Sequence, residues 1–204
     1  MSKIVAFTGA GISKASGIPT FEELGDLRQK LSRSYFENYP IKFYEILKKF
    51  KDTVRNAKPN EAHIVLAKYN IPVVTMNIDS LHKKAGSKDV LEIHGNLETV
   101  FCNQCNSEFD FDVIYNSIYC KNCKSLLNPN VVLYGDMIPN YFNAIAIIGS
   151  ADILLVVGTS FYTSTANDLV YRAKNAGIKV EIINERAEEL VPKFLAKIMK
   201  TKFK

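Results

Sequence analysis

The sequence predicts an α/β fold, in which a Rossmann-like parallel sheet is interrupted by a small four-cysteine module. Apolar runs of four or five residues alternate with helical stretches along most of the chain. Such unbroken apolar runs are typical of parallel strands that are covered by helices on both faces. Two Cys-x-x-Cys pairs break this alternation within residues 102–123, which indicates a separate small module there.

The apolar runs define the predicted elements in order. Strands are predicted at 4–7, 71–75, 90–93, 131–134, 153–157 and 180–183. Helices are predicted from 59 onward, over 143–148, over 166–176 and over 193–204, and residues 22–56 read as helices and loops. For the basic terminal helix we expect docking with a solvated lysine face, and the alternative is contact with a membrane or an acidic partner.

Four residues, Thr8, Thr75, His94 and Gly158, fall at or just past predicted strand ends. Ligands of parallel sheets bind beyond the carboxyl ends of the strands. We therefore expect the chemistry of this protein to gather at one rim of the sheet.

Composition excludes several classes of protein. The 204 residues fit one domain, and the net charge of +5 is too small to argue for direct nucleic-acid binding. No apolar run approaches the roughly 20 residues that cross a bilayer, and the N-terminus does not resemble a signal peptide. We therefore expect a cytoplasmic protein with no membrane partner.

The cysteines form two pairs, Cys102-x-x-Cys105 and Cys120-x-x-Cys123, separated by 14 residues. Each pair lies on a turn that can point both thiolates at one ion, and two such turns complete a zinc tetrahedron. Four thiolates leave no open coordination position, so the predicted site is structural. Redox pairs and free thiols are much less favoured alternatives.

The first predicted strand is followed by Gly9-Ala10-Gly11-Ile12-Ser13. Glycines allow a diphosphate to approach the backbone closely, and the N–H groups that begin a helix attract an anion. A tight turn between strand and helix explains the same residues equally well, because the motif is not a full G-x-G-x-x-G.

Seven residues, six of them polar, follow three later strands. They could hydrogen-bond a ligand carboxamide, ribose or phosphate, whereas helix capping and turn chemistry are the alternatives. For Asn77 and Asp79, helix capping is the stronger interpretation when they are taken alone. The residues are Asn77, Asp79, Gly158, Thr159, Ser160, Asn184 and Glu185.

The sequence contains three histidines, of which His94 has the position of a catalytic group. His94 follows a strand and precedes Gly95, where a side chain can face a cleft. A neutral imidazole is the natural general base near pH 7. His63 and His82 lie in helical contexts and are interpreted as structural.

Taken in order, these segments resemble the sirtuin family. Residues 8–21 (TGAGISKASGIPTF) resemble its glycine motif, and residues 75–86 (TMNIDSLHKKAG) resemble the motif that lines its nicotinamide pocket. His94 matches the catalytic histidine, and the paired cysteines match the zinc module. Residues 128–136 (NPNVVLYGD) resemble the strand that clamps the substrate peptide, so the likeness covers nearly the whole chain.

The resemblance implies a single catalytic domain over residues 1–204. Its Rossmann-like part would comprise 1–20, 57–97 and 128–204. The small module would comprise the zinc ribbon, 98–127, and a helical cofactor loop, 21–56.

The resemblance implies an NAD-dependent protein lysine deacylase that releases nicotinamide and O-acyl-ADP-ribose, with NAD and Zn as its cofactors. His94 would be the base on a ribose hydroxyl, and Asn77 would assist it. An acyl-lysine protein or peptide would add as a strand along Val131, Val132 and Gly135. The implied cofactor contacts are Gly9, Ala10, Gly11, Ile12, Ser13, Phe21, Met76, Asn77, Ile78, Asp79, Gly158, Thr159, Ser160, Asn184 and Glu185.

The chain departs from the family pattern beside the glycine motif. Thr20-Phe21-Glu22 stands where Asp-Phe-Arg is usual, which reverses a charge that Arg28 could restore. Thr20 resembles the branch that removes acidic acyl groups. That branch also has Tyr-x-x-Arg, which here reads Tyr44-Glu45-Ile46-Leu47, with Lys48 as a loose substitute.

Two further departures concern the cofactor region. Met76 replaces a usual Gln, and the segments 21–75 and after 184 are short for the family. These features predict a trimmed cofactor loop with weak or altered activity. ADP-ribosyl transfer or NAD hydrolysis is the first alternative function, and a non-catalytic module that binds an NAD metabolite is the second.

Overall fold

The computed structural model describes residues 2–20, 23–161 and 163–200, without a side chain at Lys200. Five short strands form one parallel sheet in the order β3-β2-β1-β7-β8. They are β1 (Ile4–Thr8), β2 (Val73–Thr75), β3 (Val90–Glu92), β7 (Ile153–Val157) and β8 (Lys179–Ile183).

The central strand β1 is buried along its whole length because it hydrogen-bonds on both sides and is covered on both faces. Thr8 pairs in register with Thr75 on β2 and with Val157 on β7. Three strands therefore end at the same level, which creates the rim that the sequence predicts.

Side chains alternate between the two faces of β1, as the pleat of a strand requires. Ile4 and Ala6 face one core, which helices α3 (Glu61–Lys68) and α7 (Ala187–Lys200) cover. Val5 and Phe7 face the other core, beneath α5 (Tyr141–Gly149) and α6 (Ser164–Asn175). The result is a three-layer α/β/α arrangement around a parallel sheet.

A second, antiparallel sheet lies beside the first, with the strand order β5-β4-β6. Its strands are β4 (Gly95–Phe101), β5 (Glu108–Asp110) and β6 (Asn128–Val131). It shares a third core with α1 (Arg33–Asn38) and α2 (Pro40–Asn56), in which Phe36, Phe43 and Tyr44 pack edge to face.

Shorter elements connect these layers. Helix α4 (Leu81–Lys84) follows β2. Single 3₁₀ segments occupy Ala10–Ser16, Gly25–Lys30 and Phe111–Tyr115. Among the described helices, none is both long and apolar enough to cross a membrane.

Most strand predictions are confirmed, and the main error is at 131–134. The strand there is Asn128–Val131, and it pairs antiparallel with β4, not within the parallel sheet. Beyond it, the Val132 N–H bonds to the His94 carbonyl at 2.9 Å, and Gly135 has φ +98°, so the chain turns away. The division into a Rossmann-like part and a small module stays a prediction. Strand β6 falls in the range 128–204 of the predicted Rossmann-like part, but it hydrogen-bonds in the smaller sheet.

Three other differences are of length or omission. The strand predicted at 71–75 begins only at Val73, after a proline that cannot donate to the ladder. Helix α7 begins at Ala187, earlier than predicted, and contains Pro192. Strands β4 and β5 were not predicted, because β5 has only three residues and β4 lacks an apolar run like those of the parallel strands.

Candidate functional site

The rim of the parallel sheet carries buried hydroxyl groups. Thr8 Oγ1 donates to Thr75 Oγ1 at 2.8 Å, across the ends of β1 and β2. His82 Nε2, from α4, lies 3.0 Å from the same Thr8 oxygen. Thr8, Thr75, His94 and the loop at Gly158 thus meet at one rim, as predicted.

Two glycine-containing loops touch at this rim. A methyl group on Gly11 would lie 2.6 Å from the Gly158 Cα, and one on Gly9 would lie 2.8 Å from the Gly158 carbonyl oxygen. Gly158 itself has φ +64°, and a side chain there would collide with the backbone of Ile12. Glycine is therefore required here by the packing of one loop against the other.

The same contact occupies backbone donors of the glycine loop. The Gly9 N–H donates to the Val157 carbonyl at 3.0 Å, and the Gly11 N–H donates to the Gly158 carbonyl at 2.9 Å. These two N–H groups are thus bound to protein, and the tight-turn interpretation explains both glycines. Ligand contact by this loop stays a prediction.

Behind the loop lies a buried polar cluster formed by Ser13, Asn77 and Asp79. The Ser13 hydroxyl donates to Asp79 Oδ2 at 2.7 Å and accepts from Asn77 Nδ2 at 3.1 Å. The other carboxylate oxygen, Asp79 Oδ1, accepts the Leu81 N–H, the first N–H of α4, at 2.9 Å. Asp79 thus has a structural role at the start of α4, and ligand contact by this cluster stays a prediction.

Burial and hydrogen bonds have opposite effects on the pKa of Asp79, the acidic member of this cluster. Burial raises the pKa of Asp79, while hydrogen bonds from Ser13, the Leu81 N–H and Asn77 oppose the shift. The three side chains are almost fully enclosed, and they hold one another in place. A polar group that enters beside them would meet preorganised donors and acceptors at low dielectric.

Two buried histidines lie near the cluster, and one of them, His63, contacts it directly. His63 Nδ1 accepts the Asn60 N–H, so its Nε2 carries the proton and donates to the Ser13 oxygen at 3.4 Å. Burial lowers the pKa of His63 to about 4. Burial, and then the neighbouring His63, lower the pKa of His82 to about 3. Both rings are therefore neutral, and their centroids lie 4.8 Å apart.

The interpretation of these two histidines as structural stays a prediction, but it does not anticipate that His63 contacts Ser13 and that His82 contacts Thr8. One sequence signal was available: Asn60 and His63 have the spacing of a capping box, and the structure forms that box. The box starts α3 and at the same time turns His63 Nε2 toward Ser13.

His94 lies between β3 and β4, and its ring is oriented by a backbone contact. Nδ1 lies 3.2 Å from the Met76 carbonyl oxygen, which can only accept, so Nδ1 carries the proton. Burial lowers the pKa of His94, although the Met76 carbonyl partly opposes this. The ring is thus neutral with an unprotonated Nε2, which is the form that a general base requires.

The cysteines come together as predicted. Their four sulfur atoms lie within 4.8 Å of one another, with Cys102 Sγ 3.4 Å from Cys123 Sγ and Cys105 Sγ 3.6 Å from Cys120 Sγ. Sulfurs around tetrahedral zinc are about 3.8 Å apart, given Zn–S bonds of about 2.3 Å. The set fits a structural zinc ion and lies in the small sheet, away from the rim.

The loop after β7 is shaped by an amide. Asn184 Oδ1 accepts the Thr159 N–H at 3.0 Å, and its Nδ2 donates to the Thr159 carbonyl at 2.8 Å. Asn184 therefore orients the loop through its backbone. Ser160 and Glu185 are exposed beside it, and the buried Thr159 hydroxyl has no partner among the described residues.

Four other predicted contacts differ in what they can offer. The Ile12 side chain is fully buried in the core, so only its backbone reaches the rim. Ala10 is half-buried, and Ile78 packs against the core of the small sheet. Met76 sets the His94 ring through its carbonyl. Phe21, also predicted as a contact, lies outside the described residues, as does Glu22.

Charges beside the glycine loop are already paired. Lys14 lies 3.0 Å from Glu23, which also accepts the Thr20 N–H at 2.7 Å. The Thr20 N–H and Lys14 together lower the pKa of Glu23 to about 2. Arg28 lies where its charge acts on Tyr134, whose pKa burial raises. That Arg28 compensates for the negative charge of Glu22 stays a prediction.

The fold and the site together define a class: a Rossmann-type α/β protein with a four-cysteine metal module and a polar rim suited to a nucleotide ligand. A model of the Sir2 family matches residues 9–164. The chain is 37% identical over 199 residues to an NAD-dependent protein deacetylase of Bacillus cereus, covering 90% of this chain and 81% of that protein. A Thermotoga maritima protein of the same description is 34% identical, covering 88% and 80%.

Comparison with solved structures gives the same family. A complex of Sir2 with a p53 peptide and NAD+ superimposes with a TM-score of 0.88 at 30% identity, covering 96% of this chain and 92% of that chain. Another Sir2 enzyme structure gives 0.86 at 34% identity, covering 98% and 94%. The chain belongs to the Sir2 family, the sirtuins.

Proposed function

We propose that this protein is an NAD-dependent protein lysine deacetylase, which transfers the acyl group from lysine to ADP-ribose. The observation that carries the proposal is His94, a neutral imidazole whose Nδ1 proton points to the Met76 carbonyl and whose Nε2 has no partner among the described residues. The relatives named as NAD-dependent protein deacetylases support it.

NAD is the co-substrate, and it supplies a ribose carbon from which nicotinamide can leave. Ser13, Asn77 and Asp79 form the polar wall that would hold the nicotinamide end. His94 Nε2 would accept the proton of a ribose hydroxyl, which makes that oxygen nucleophilic toward the acyl carbon. Around the diphosphate and ribose we place the loops containing Gly9–Gly11, Gly158–Ser160 and Asn184-Glu185.

The substrate peptide would add as a strand along the segment after β6. Among the described residues, the Val132 carbonyl and both backbone groups of Gly135 have no hydrogen-bond partner. Unpaired backbone at a strand edge binds an extended peptide through main-chain hydrogen bonds. Val131 continues this edge from β6, where it pairs with Gly95.

We infer an uncharged acyl group. The Tyr44 hydroxyl donates to the Leu127 carbonyl at 2.6 Å, and Leu47, at the position of the acid-binding arginine, is fully buried. Lys48 Nζ stacks 5.5 Å from the Tyr115 ring centroid. None of these groups is free to neutralise an acidic acyl chain, so the Thr20 likeness to that branch is not matched by its partner residues.

The four-thiolate site would hold the small sheet together, and unoxidised thiols suit a reducing compartment such as the cytoplasm. No nucleic-acid contact is proposed.

The deciding experiment incubates the protein with NAD and an acetyl-lysine peptide, with each omitted in turn, and measures nicotinamide and deacetylated peptide. We expect equal amounts of both products, produced only when both substrates are present. His94→Ala should abolish peptide deacetylation. A succinyl-lysine peptide should react far more slowly than the acetyl peptide.

Other outcomes identify the alternatives. Nicotinamide release without peptide would indicate NAD hydrolysis or ADP-ribosyl transfer. Absence of release with every acyl peptide would leave a non-catalytic module that binds an NAD metabolite.

A further inference from the structure

Arg33, the first residue of α1, binds through its guanidinium to β6 and to the segment that follows it. Its Nε donates to Asp136 Oδ1 at 2.8 Å, and its Nη2 donates to Asp136 Oδ2 at 2.7 Å. Its Nη1 donates to Asn128 Oδ1 at 3.2 Å, at the start of β6. One planar side chain thus joins both ends of the segment 128–136 in a fixed geometry.

Asp136 in turn closes a turn in that segment. Its Oδ2 accepts the Leu133 N–H at 3.0 Å, while its own N–H donates to the Leu133 carbonyl at 2.9 Å. Gly135, within this turn, has φ +98°, a conformation that glycine adopts readily. The position of the Gly135 backbone therefore depends on Asp136, and Asp136 is held by Arg33.

The backbone of Arg33 adds a second attachment. The Arg33 N–H donates to the Tyr134 carbonyl at 2.9 Å, and the Tyr134 N–H donates to the Leu31 carbonyl at 3.0 Å. At the other end, the Val132 N–H bonds to the carbonyl of His94. The Val132 carbonyl and the Gly135 backbone groups, which have no hydrogen-bond partner among the described residues, lie directly beside these attachments.

The ion pair is also partly shielded. The exposed fractions of the Arg33 and Asp136 side chains are 28% and 19%, and the guanidinium carbon lies 5.1 Å from the Phe36 ring centroid. Arg33 lowers the pKa of Asp136 against the effect of burial, which keeps the carboxylate charged. A bidentate pair in this setting fixes orientation better than an exposed pair does.

We propose that Arg33 is a positioning residue for substrate binding: through Asp136 and Asn128 it presents the Val132 and Gly135 backbone to the peptide. This inference rests on the proposed function, because it assigns the peptide to that edge. It adds a determinant of peptide affinity that lies on α1, outside the glycine loop, the histidine and the polar cluster.

The test compares Arg33→Ala with Arg55→Ala in the full chain. Arg55 is a matched control, since it pairs with Asp112 at 2.7 Å and stacks 5.7 Å from the Tyr115 ring, but on α2 and without a described contact to β6. For Arg33→Ala we expect the peptide KM to rise by about tenfold, because a small misplacement of binding groups is costly. The kcat at saturating peptide and the KM for NAD should stay within about twofold of the wild type.

Arg33→Lys keeps the charge but loses the planar fork, so its peptide KM should lie between those of wild type and Arg33→Ala. Amide hydrogen exchange supplies a readout that does not require activity. In Arg33→Ala the Leu133 and Tyr134 amides should exchange faster, while amides of the parallel sheet keep their protection. Arg55→Ala should change neither the peptide KM nor the exchange of these amides.

The outcomes separate this inference from the proposed function. An unchanged peptide KM in Arg33→Ala, with a wild type that deacetylates the peptide, overturns the positioning role and leaves the function intact. Faster exchange throughout the chain, with kcat and both KM values altered together, also overturns it, because Arg33 would then be a general stabiliser. A wild type that neither binds nor deacetylates an acetyl-lysine peptide overturns both proposals.

Discussion

His94 illustrates how a single side chain acquires its chemical state from its surroundings. An ordinary histidine titrates near pH 6.5. The rim environment desolvates the ring, while the Met76 carbonyl holds the proton on Nδ1. The sequence identifies the residue, but the tautomer follows from a carbonyl that belongs to another strand end.

This state predicts the pH dependence of catalysis. Because burial lowers the pKa of His94 and the base must be neutral, the acidic limb of kcat/KM for the peptide should lie below pH 6.5. The measurement is a pH–rate profile between pH 5 and 8 at fixed ionic strength. An acidic limb above pH 6.5 would contradict the assignment of His94 as the base.

Gly11 illustrates a residue determined by backbone contact. Its added methyl would lie 2.6 Å from the Gly158 Cα, whereas one on Gly149, at the end of α5, would contact nothing. Gly11→Ala should therefore lower the free energy of unfolding by about 1–3 kcal/mol through overpacking. Gly149→Ala should be neutral or slightly stabilising.

Thermal unfolding of both variants tests this, at about 2–4 °C per kcal/mol for a chain of this size. Equal melting temperatures for the two variants would show that the loops tolerate the contact.

At the scale of elements, the cysteine-bearing turns connect the strands of the small sheet. Strands β4 and β5 are joined through the turn that carries Cys102 and Cys105, and β6 follows the turn with Cys120 and Cys123. Cys102 and Cys120 are also part of the local apolar core. Metal binding and core packing are therefore coupled in this module.

Removal of the metal should loosen this module first. We expect one zinc per chain by elemental analysis, and loss of the metal in Cys105→Ser. Chelation should speed amide exchange within 98–127, while strands β1 and β7 stay protected. Added zinc should restore protection in the wild type. Full metal content in Cys105→Ser would contradict the four-thiolate site.

At the scale of the whole molecule, buried histidines link stability to pH. The pKa values of His63 and His82 are lowered to about 4 and about 3, whereas in the unfolded chain both titrate near 6.5. Below pH 6.5 the unfolded chain thus binds protons that the folded chain excludes, so stability falls as pH falls toward 4. Above pH 6.5 this contribution is fully present.

The expected loss at pH 5 is about 2 kcal/mol for each histidine. Urea unfolding at pH 7.5 and pH 5 measures it. Carboxylates also titrate in this range, so His82→Gln serves as the comparison and should show a smaller loss than the wild type. An identical pH dependence in wild type and variant would contradict a buried neutral His82.

Much of the fold could be predicted from sequence, because its signals are local. The apolar runs at 4–7 and 153–157 become β1 and β7, and the paired cysteine spacing becomes a compact four-sulfur cluster. Strand ends placed Thr8 and Thr75 at one rim, and the structure joins them by a hydrogen bond. The resemblance to the sirtuins, carried by ordered motifs, agrees with the Sir2 family match.

Other features depended on contacts between distant parts of the chain. The run at 131–134 is apolar enough for a strand in the parallel sheet, yet its neighbours are β4, His94 and the segment before α1. Glycines 9 and 11 suit a ligand loop and a tight turn equally in sequence, and only the approach of Gly158 shows which contact they make.

The sequence by itself determined the strands of the parallel sheet, the four-thiolate set and the choice of His94 as the candidate base. Only the tertiary structure decided which groups meet: His63 beneath Ser13, Asn184 around Thr159, and Arg33 on Asp136. The physical reason is that propensity and spacing act over a few residues. Buried hydrogen bonds, in contrast, join side chains that are distant in sequence. Such side chains meet only when the three cores have packed.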